Sequence, residues 1–382
     1  MEIGQNDLGT LGSTAAPPSG YHPYPGGNLG EVYDYGHDGW TSGTPPYFGD
    51  YTLPALGYDG WALQVTGVLN WALSDGTSIT GPGSLTGHNV SYSISGDSVV
   101  ANWAGTAVGG QLLVKMQTRI DTNSSWVVMT VRLYNTGATP LANVYYLRTC
   151  NPQNDETHSG DSATNNIISY QDDTAHRVMV SSTGTMDTNA FLGLATLDYR
   201  ARAFVYSNMP INTFVSDLGV VWSESAFGIM PEYAVGVSDN GEKGIGLVYN
   251  LGTLAPAGTP GDSVIISYAY IFSGVADIDS ACRNRTRTID TTTDTTTTDT
   301  TTSARVIKPG CKIEVSPNPA TTSLTISSVE KITTITISNL LGQLVYSQKY
   351  NAEQVQVDVA DLPSGIYLVR INGTEVRKFV KQ

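Results

Sequence analysis

The densest run of metal-binding side chains is Asn151-Pro152-Gln153-Asn154-Asp155-Glu156-Thr157-His158-Ser159-Gly160-Asp161. Closely spaced carboxylate and amide oxygens on one loop suit a hard cation such as calcium. Asp155, Glu156 and Asp161 would be its carboxylate ligands. A solvated, Asx-rich turn is the alternative reading of the same residues.

Catalytic patterns are absent elsewhere. His22, His37, His88, His158 and His176 are scattered, and none falls in a His-Glu-x-x-His spacing. Asp155-Glu156 and Asp172-Asp173 are adjacent pairs, which on a strand point to opposite faces and make no acid/base couple. There is no Gly-x-Ser-x-Gly elbow, and no cysteine sits in a nucleophile motif. No catalytic residue is assigned, although a glycosidase built from distant carboxylates would leave no linear pattern. Trp61, Trp71, Trp103, Trp126 and Trp222 lie in apolar runs and are expected mostly to fill sheet interfaces. Trp40 lies in a Gly/Asp-rich loop and is a candidate surface contact. So are Tyr21 and Tyr24, set among prolines in a stiff, extended segment suited to a groove or a sheet edge.

The elements that must position these residues are strands. Charged residues make up only 14%, while Gly (40) and Tyr (21) are abundant, a composition of extracellular β-structure. From Trp61 onward, runs such as Val127–Tyr134, Val144–Arg148 and Val264–Phe272 are β-branched and aromatic. Turn chemistry separates the runs at Ser95–Asp97, Asn135–Gly137, Gln171–Asp173, Leu197–Tyr199 and Ser238–Gly241. No amphipathic helix and no fixed repeat is evident, so the fold class is all-β. Residues 1–60 read as a Gly/Pro/aromatic-rich arm and loops, and 61–284 as a large sandwich or super-sandwich. Residues 285–310 are a Thr/Asp-rich linker with no apolar face to bury, and 311–382 are a small second β-domain.

Charge narrows the partners. The net charge is −14, and residues 1–284 hold 25 Asp and Glu against nine Lys and Arg. Such a domain repels phosphate backbones and anionic lipid, which argues against nucleic acid and leaves divalent cations as partners. No apolar run reaches the ~18 residues of a membrane-spanning helix. Cys150, Cys282 and Cys311 are odd in number and form no disulfide framework. Cys282 and Cys311 flank the linker and can pair, with Cys150 a buried apolar residue in a strand.

The last seventy-odd residues alternate with period two in short runs, with breaks at Pro317-Asn318-Pro319, Leu341-Gly342-Gln343, Pro363-Ser364-Gly365 and Asn372-Gly373. Six or seven short strands would make a small Ig-like sandwich, with Asn372-Gly373 as a tight hairpin. Pro317-Asn318-Pro319-Ala320, Ile337–Gln343, Leu362-Pro363-Ser364-Gly365-Ile366-Tyr367 and the basic end Lys378–Gln382 follow in order. Together they resemble the type A C-terminal sorting domain of the Bacteroidota type IX secretion system. The sorting signal would then rest on Pro317, Asn318, Pro319, Leu341, Gly342, Leu362, Gly365, Tyr367 and Lys378.

That resemblance implies Sec export, passage through the type IX machinery, removal of the domain by its sortase and, often, linkage to surface lipopolysaccharide. Met1–Asp7 is polar, so a Sec presequence is expected to be missing from this sequence. The linker triplets beginning at Asp290, Asp294 and Asp299 resemble the Bacteroidota O-glycosylation acceptor, which marks Thr291, Thr295 and Thr300. The expectation is a secreted or surface-attached structural or adhesive β-protein that associates with itself or a glycan. A carbohydrate-binding or carbohydrate-cleaving surface protein is the alternative.

Overall fold

The protein is described by a computed structural model covering residues 1–13, 15–17, 21, 29–34, 51–52, 59–74, 78–80, 85–95, 97–121, 124–156, 160–186, 189–207, 215–223, 235–283, 313–316, 319–339, 343–372 and 375–382. It divides into two compact units, Met1–Thr293 and Asp294–Gln382. Trp40, Tyr24, Thr291, Thr295, Thr300 and Cys311 lie outside the described residues.

The first unit opens with β1 (Glu2–Ile3), β2 (Glu31–Val32), β3 (Asp59–Val65), β4 (Val68–Leu73), β5 (Ser78–Thr80), β6 (Thr86–Ser95) and β7 (Ser98–Ala107). It continues through β8 (Leu112–Asp121), β9 (Trp126–Asn135), β10 (Leu141–Cys150), β11 (Thr164–Gln171) and β12 (Val178–Gly184). The remaining strands are β13 (Phe191–Thr196), β14 (Ala201–Ser207), β15 (Ser238–Gly241), β16 (Lys243–Leu254) and β17 (Ser263–Ile271). A six-stranded sheet has the order β14-β16-β10-β3-β4-β5, and a nine-stranded sheet the order β15-β11-β12-β13-β17-β9-β8-β7-β6. The all-β sandwich read from the runs is the fold observed.

Between the sheets lies one core that includes Trp61, Trp103, Met129, Tyr146 and Tyr268. Two further clusters cover the outer faces. The short helix Leu218–Trp222, capped by the Asp217 carboxylate on the Gly219 N–H, packs with Trp71, Leu147 and Phe204. The helix Ile278–Arg283 brings Ile278, Ala281 and Cys282 against Met179, Ala195 and Ile271. Central strands are therefore buried on both faces, and every residue of β3 is buried. Both helices are too short to show a helical period in sequence. Ser238–Gly241, read as a turn, is instead β15, paired with β11 at the sheet edge. Its Ser-Asp-Asn-Gly composition has no apolar alternation because an edge strand can face water on both sides.

The N-terminal segment folds back onto its own domain. β1 pairs with β2, and the Trp61 and Trp103 indoles donate to the carbonyls of Leu8 and Asp7 at 2.9 and 2.8 Å. Little apolar periodicity is needed, because single residues such as Leu11 and Tyr33 enter the core while the polar tips of the tryptophans hold the backbone.

The second unit contains β18 (Ile313–Ser316), β19 (Ser323–Asn339), β20 (Leu344–Asp358), β21 (Gly365–Ile371) and β22 (Glu375–Lys381). Five strands replace the six or seven expected, because Leu324–Ile326 and Ile335–Ile337 are two halves of one long β19, and Leu344–Tyr346 and Val355–Val357 two halves of one long β20. Irregular pairing with β20 between Ser327 and Ile332 marks the break between the halves. Leu324, Ile326 and Val357 from one half share a core with Ile337, Tyr367 and Phe379 from the other.

Candidate functional site

Arg148 on β10 is the most buried cation of the first unit, and its partners are all inside the sandwich. Its Nη2 donates to Asp59 Oδ1 at 2.6 Å, and its Nε donates to the Tyr270 hydroxyl at 2.6 Å. Tyr270 donates in turn to Asp59 Oδ2, and the Leu11 N–H donates to Asp59 Oδ1 at 2.6 Å. Burial pushes the Asp59 carboxyl up, against the pull of Arg148, Tyr270 and Leu11. Arg148 is held well above its ordinary value, burial being outweighed by Asp59 and the neighbouring tyrosines, so it stays charged. Every strong donor and acceptor of this cluster is consumed internally. It ties the two sheets and the N-terminal segment together and presents nothing to a substrate.

Cys150, the last residue of β10, is fully buried, and burial followed by Glu31 and Asp59 pushes its thiol well above the usual range. It is a packing residue without a nucleophile's environment.

Residues 151–156 form a structural joint. Asn154 is completely buried and its amide donates to the carbonyls of Ser182 and Ala190 at 2.9 and 2.6 Å, while its oxygen accepts from the Ser182 hydroxyl. Asp155 is also buried, and its Oδ2 accepts the Met186 N–H at 2.9 Å. Asp161 is exposed and caps its own turn through the Ala163 N–H. Burial, then Glu242 and Asp161, raises the Glu156 carboxyl. Among the described residues, no three His, Cys, Asp or Glu side chains are gathered as a metal would require. Asp155 and Asp161 thus each accept a backbone N–H, and Asp161 stands within electrostatic reach of Glu156.

A surface feature that residue patterns missed lies at the other end of the nine-stranded sheet. A shallow groove of about 410 Å³ runs between the N-terminal segment and the face of β6–β8, lined by Ile3, Tyr92, Val99, Ala101, Thr118 and Ile120 among others. Gln5 closes one side, donating to Asn89 Oδ1 at 2.7 Å and accepting from the Thr118 hydroxyl at 2.8 Å. Tyr21, a predicted contact, is exposed as well.

In the second unit, Tyr367 is buried, stacks on Phe379 at 5.5 Å between ring centroids and donates to the Pro363 carbonyl at 2.8 Å. Leu362 packs half-buried against the same core, and Pro319 is exposed beside buried Ala320. Ala320 zips the chain end, its N–H donating to the Val380 carbonyl and its carbonyl accepting the Gln382 N–H. Lys378 pairs with Leu368 on β21. Asn372 has φ 53 and starts a connection of residues 372–374, one residue longer than the expected two-residue hairpin. Gly365 is not the turn glycine expected. It is the first residue of β21, without a positive φ, and an added Cβ would meet nothing nearer than Tyr367 at 3.8 Å. Pro317, Asn318, Leu341 and Gly342 lie outside the described residues.

Residues 314–382 match the secretion system C-terminal sorting domain. The chain is a type IX secretion cargo. This cargo is exported through that system to the cell surface or the extracellular space. Curated protein sequences return no match to it. Among solved structures, it is similar to a polysaccharide lyase at 11% identity and a TM-score of 0.29, over 86% of this chain and 40% of that one. It is also similar to PorZ, an essential bacterial surface component of the type-IX secretion system of Porphyromonas gingivalis, at 11% identity and a TM-score of 0.17. That likeness covers 82% of this chain and 48% of PorZ. The cargo thus spans less than half the length of either structure, and likenesses this remote do not bear on what the first unit does.

Proposed function

We propose that the first unit is a structural or adhesive module, delivered by the second to the outer cell surface. Delivery would follow Sec export, and the sortase would then remove residues 311–382 and attach the module to surface lipopolysaccharide. Thr291, Thr295 and Thr300 would carry O-linked glycans on the linker. The observation that supports this reading is where the chemistry goes. Asp59, Arg148, Tyr270, Cys150, Asn154 and Asp155 are all spent on holding sheets and loops together, while the groove at β6 offers apolar and aromatic surface for contact.

Attachment assays on cells test the reading. A strain displaying the full protein should attach to neighbouring cells or to a solid surface. A strain in which residues 1–284 are replaced by an inert domain, with the sorting domain kept, should not. Equal attachment by both strains overturns an adhesive role. Binding of a glycan by the purified protein, lost on Tyr92→Ala, would replace it with the carbohydrate-binding alternative.

A further inference from the structure

A sheet edge exposes backbone donors and acceptors to any passing strand, and proteins protect edges by shortness, charge or cover. Three of the four edges of the two large sheets of the first unit are protected. β5 has three residues, and β15 has four and carries Asp239, paired with Lys243 at 2.9 Å. β14 is engaged at Ala203, whose N–H and carbonyl both bind the Gln171 side chain. The fourth edge is different. β6 is ten residues long and contains no Asp, Glu, Lys, Arg or Pro.

Its apolar side chains also face water. Val90, Tyr92 and Ile94 are 56%, 65% and 69% exposed, and Tyr92 and Ile94 stand opposite half-buried Ala101 and Val99 on β7. At this end of the larger sheet, the described residues that line the face of β6–β8 from the other side are Ile3 and Gln5 of the N-terminal segment, which leave Val90, Tyr92 and Ile94 exposed. An irregularity between Asn89 and Ser91 bends the strand and limits its regular run to Ser91–Ser95.

We infer that this run is a self-association edge, filled by β6 of a second copy in antiparallel pairing about a two-fold axis. Charge selects the occupant. Residues 1–284 carry 25 acidic against nine basic side chains, yet from Thr86 to Ala107 the only Asp or Glu is Asp97 and there is no Lys or Arg. A basic partner finds few carboxylates on this hairpin, Asp97 at its turn and Asp7 and Asp121 bound at Asn89 and Ser98, and none on Ser91–Ser95, whereas two copies meet along that run with less repulsion than elsewhere on the domain. Symmetry supplies the rest. A two-fold axis at Ser93 places Tyr92 of each copy opposite Ile94 of the other, an aromatic–β-branched cross-strand pair, with Ser93 opposite Ser93. The inference rests on the edge and not on the adhesive reading, which is tested on cells.

Sedimentation equilibrium of the full chain, from micromolar to submillimolar concentration, should show a monomer–dimer equilibrium. Tyr92→Lys with Ile94→Lys should leave only monomer over that range, with an unchanged circular dichroism spectrum. Ser93→Cys, at an exposed position, should give a covalent dimer on mild oxidation, because directly opposed strand residues have Cα atoms ~4.5–5.5 Å apart, within disulfide reach. Peptide mass mapping should find the bridge between the two introduced thiols. A wild-type chain that stays monomeric, a dimer that survives the double lysine substitution, or a Ser93→Cys chain that does not bridge overturns the proposal.

Discussion

Gln171 binds the backbone of Ala203 at both ends of its amide: Nε2 donates to the Ala203 carbonyl at 2.9 Å and Oε1 accepts the Ala203 N–H at 2.8 Å. Gln171 ends β11 of the nine-stranded sheet, and Ala203 belongs to the edge strand of the six-stranded one. A single side chain thus replaces a strand at an open edge and joins the two sheets. Replacing it by Gln171→Leu, which keeps the volume, should destabilise the first unit by about 1–2 kcal/mol, the net worth of two hydrogen bonds. Urea unfolding measures this, and an unchanged midpoint would show that the amide is dispensable.

The Asp59–Arg148 pair is fully buried on both sides. Asp59→Asn keeps the shape but leaves Arg148 without a counter-charge, so a loss of ~3–5 kcal/mol is expected. Arg148→Met in the same chain should recover part of it, since removing both charges avoids a stranded cation. Thermal unfolding of the two single variants and the double variant tests this; additive losses would mean that the residues act independently.

Glu156 sets a pH dependence. Its carboxyl is raised in the folded state, first by burial and then by Glu242 and Asp161, so the folded protein holds the proton more tightly than the unfolded chain. The stability linked to that proton is fully present below the unfolded carboxylate value, about 4.3, and is lost as pH rises through the folded value. Glu156→Gln should therefore raise the melting temperature at pH 7, with the gain fading toward pH 4. A gain of equal size at both pH values would assign the effect to something other than charge.

In the sorting domain, Tyr367 and Gly365 should separate. Tyr367→Ala removes a ring stacked on Phe379 in the core and should cost ~3–5 kcal/mol, leaving the cargo in the periplasm. Gly365→Ala should be displayed at the wild-type level, because the added methyl meets Tyr367 only at ordinary contact distance. Surface labelling of intact cells reads both. Loss of display with Gly365→Ala would mean that the export machinery itself reads the glycine.

What the amino-acid sequence determined by itself is what local chemistry encodes. Alternation along Val127–Tyr134 and Ile366–Ile371, broken by turn residues, specifies strands, because successive side chains point to opposite faces whatever lies above them. The sorting motifs were legible for a related reason: they recur as short strings in a set order near the chain end. The partners across the sheets were not legible. Asp59 and Arg148 meet across 89 positions, and Gln171 and Ala203 across 32, distances at which no period or spacing carries information. The 151–161 loop shows the same divide in reverse. Its residues have the composition of a cation site, but packing engages the Asn154 amide with Ser182 and Ala190 and the Asp155 carboxylate with the Met186 N–H, partners that no spacing announces. Nor does anything in Thr86–Ala107 distinguish an exposed Tyr92 from a buried Trp103 on the same face of the sheet. That is decided by tertiary packing, which buries Trp103 and leaves Tyr92 exposed on the edge strand of the nine-stranded sheet.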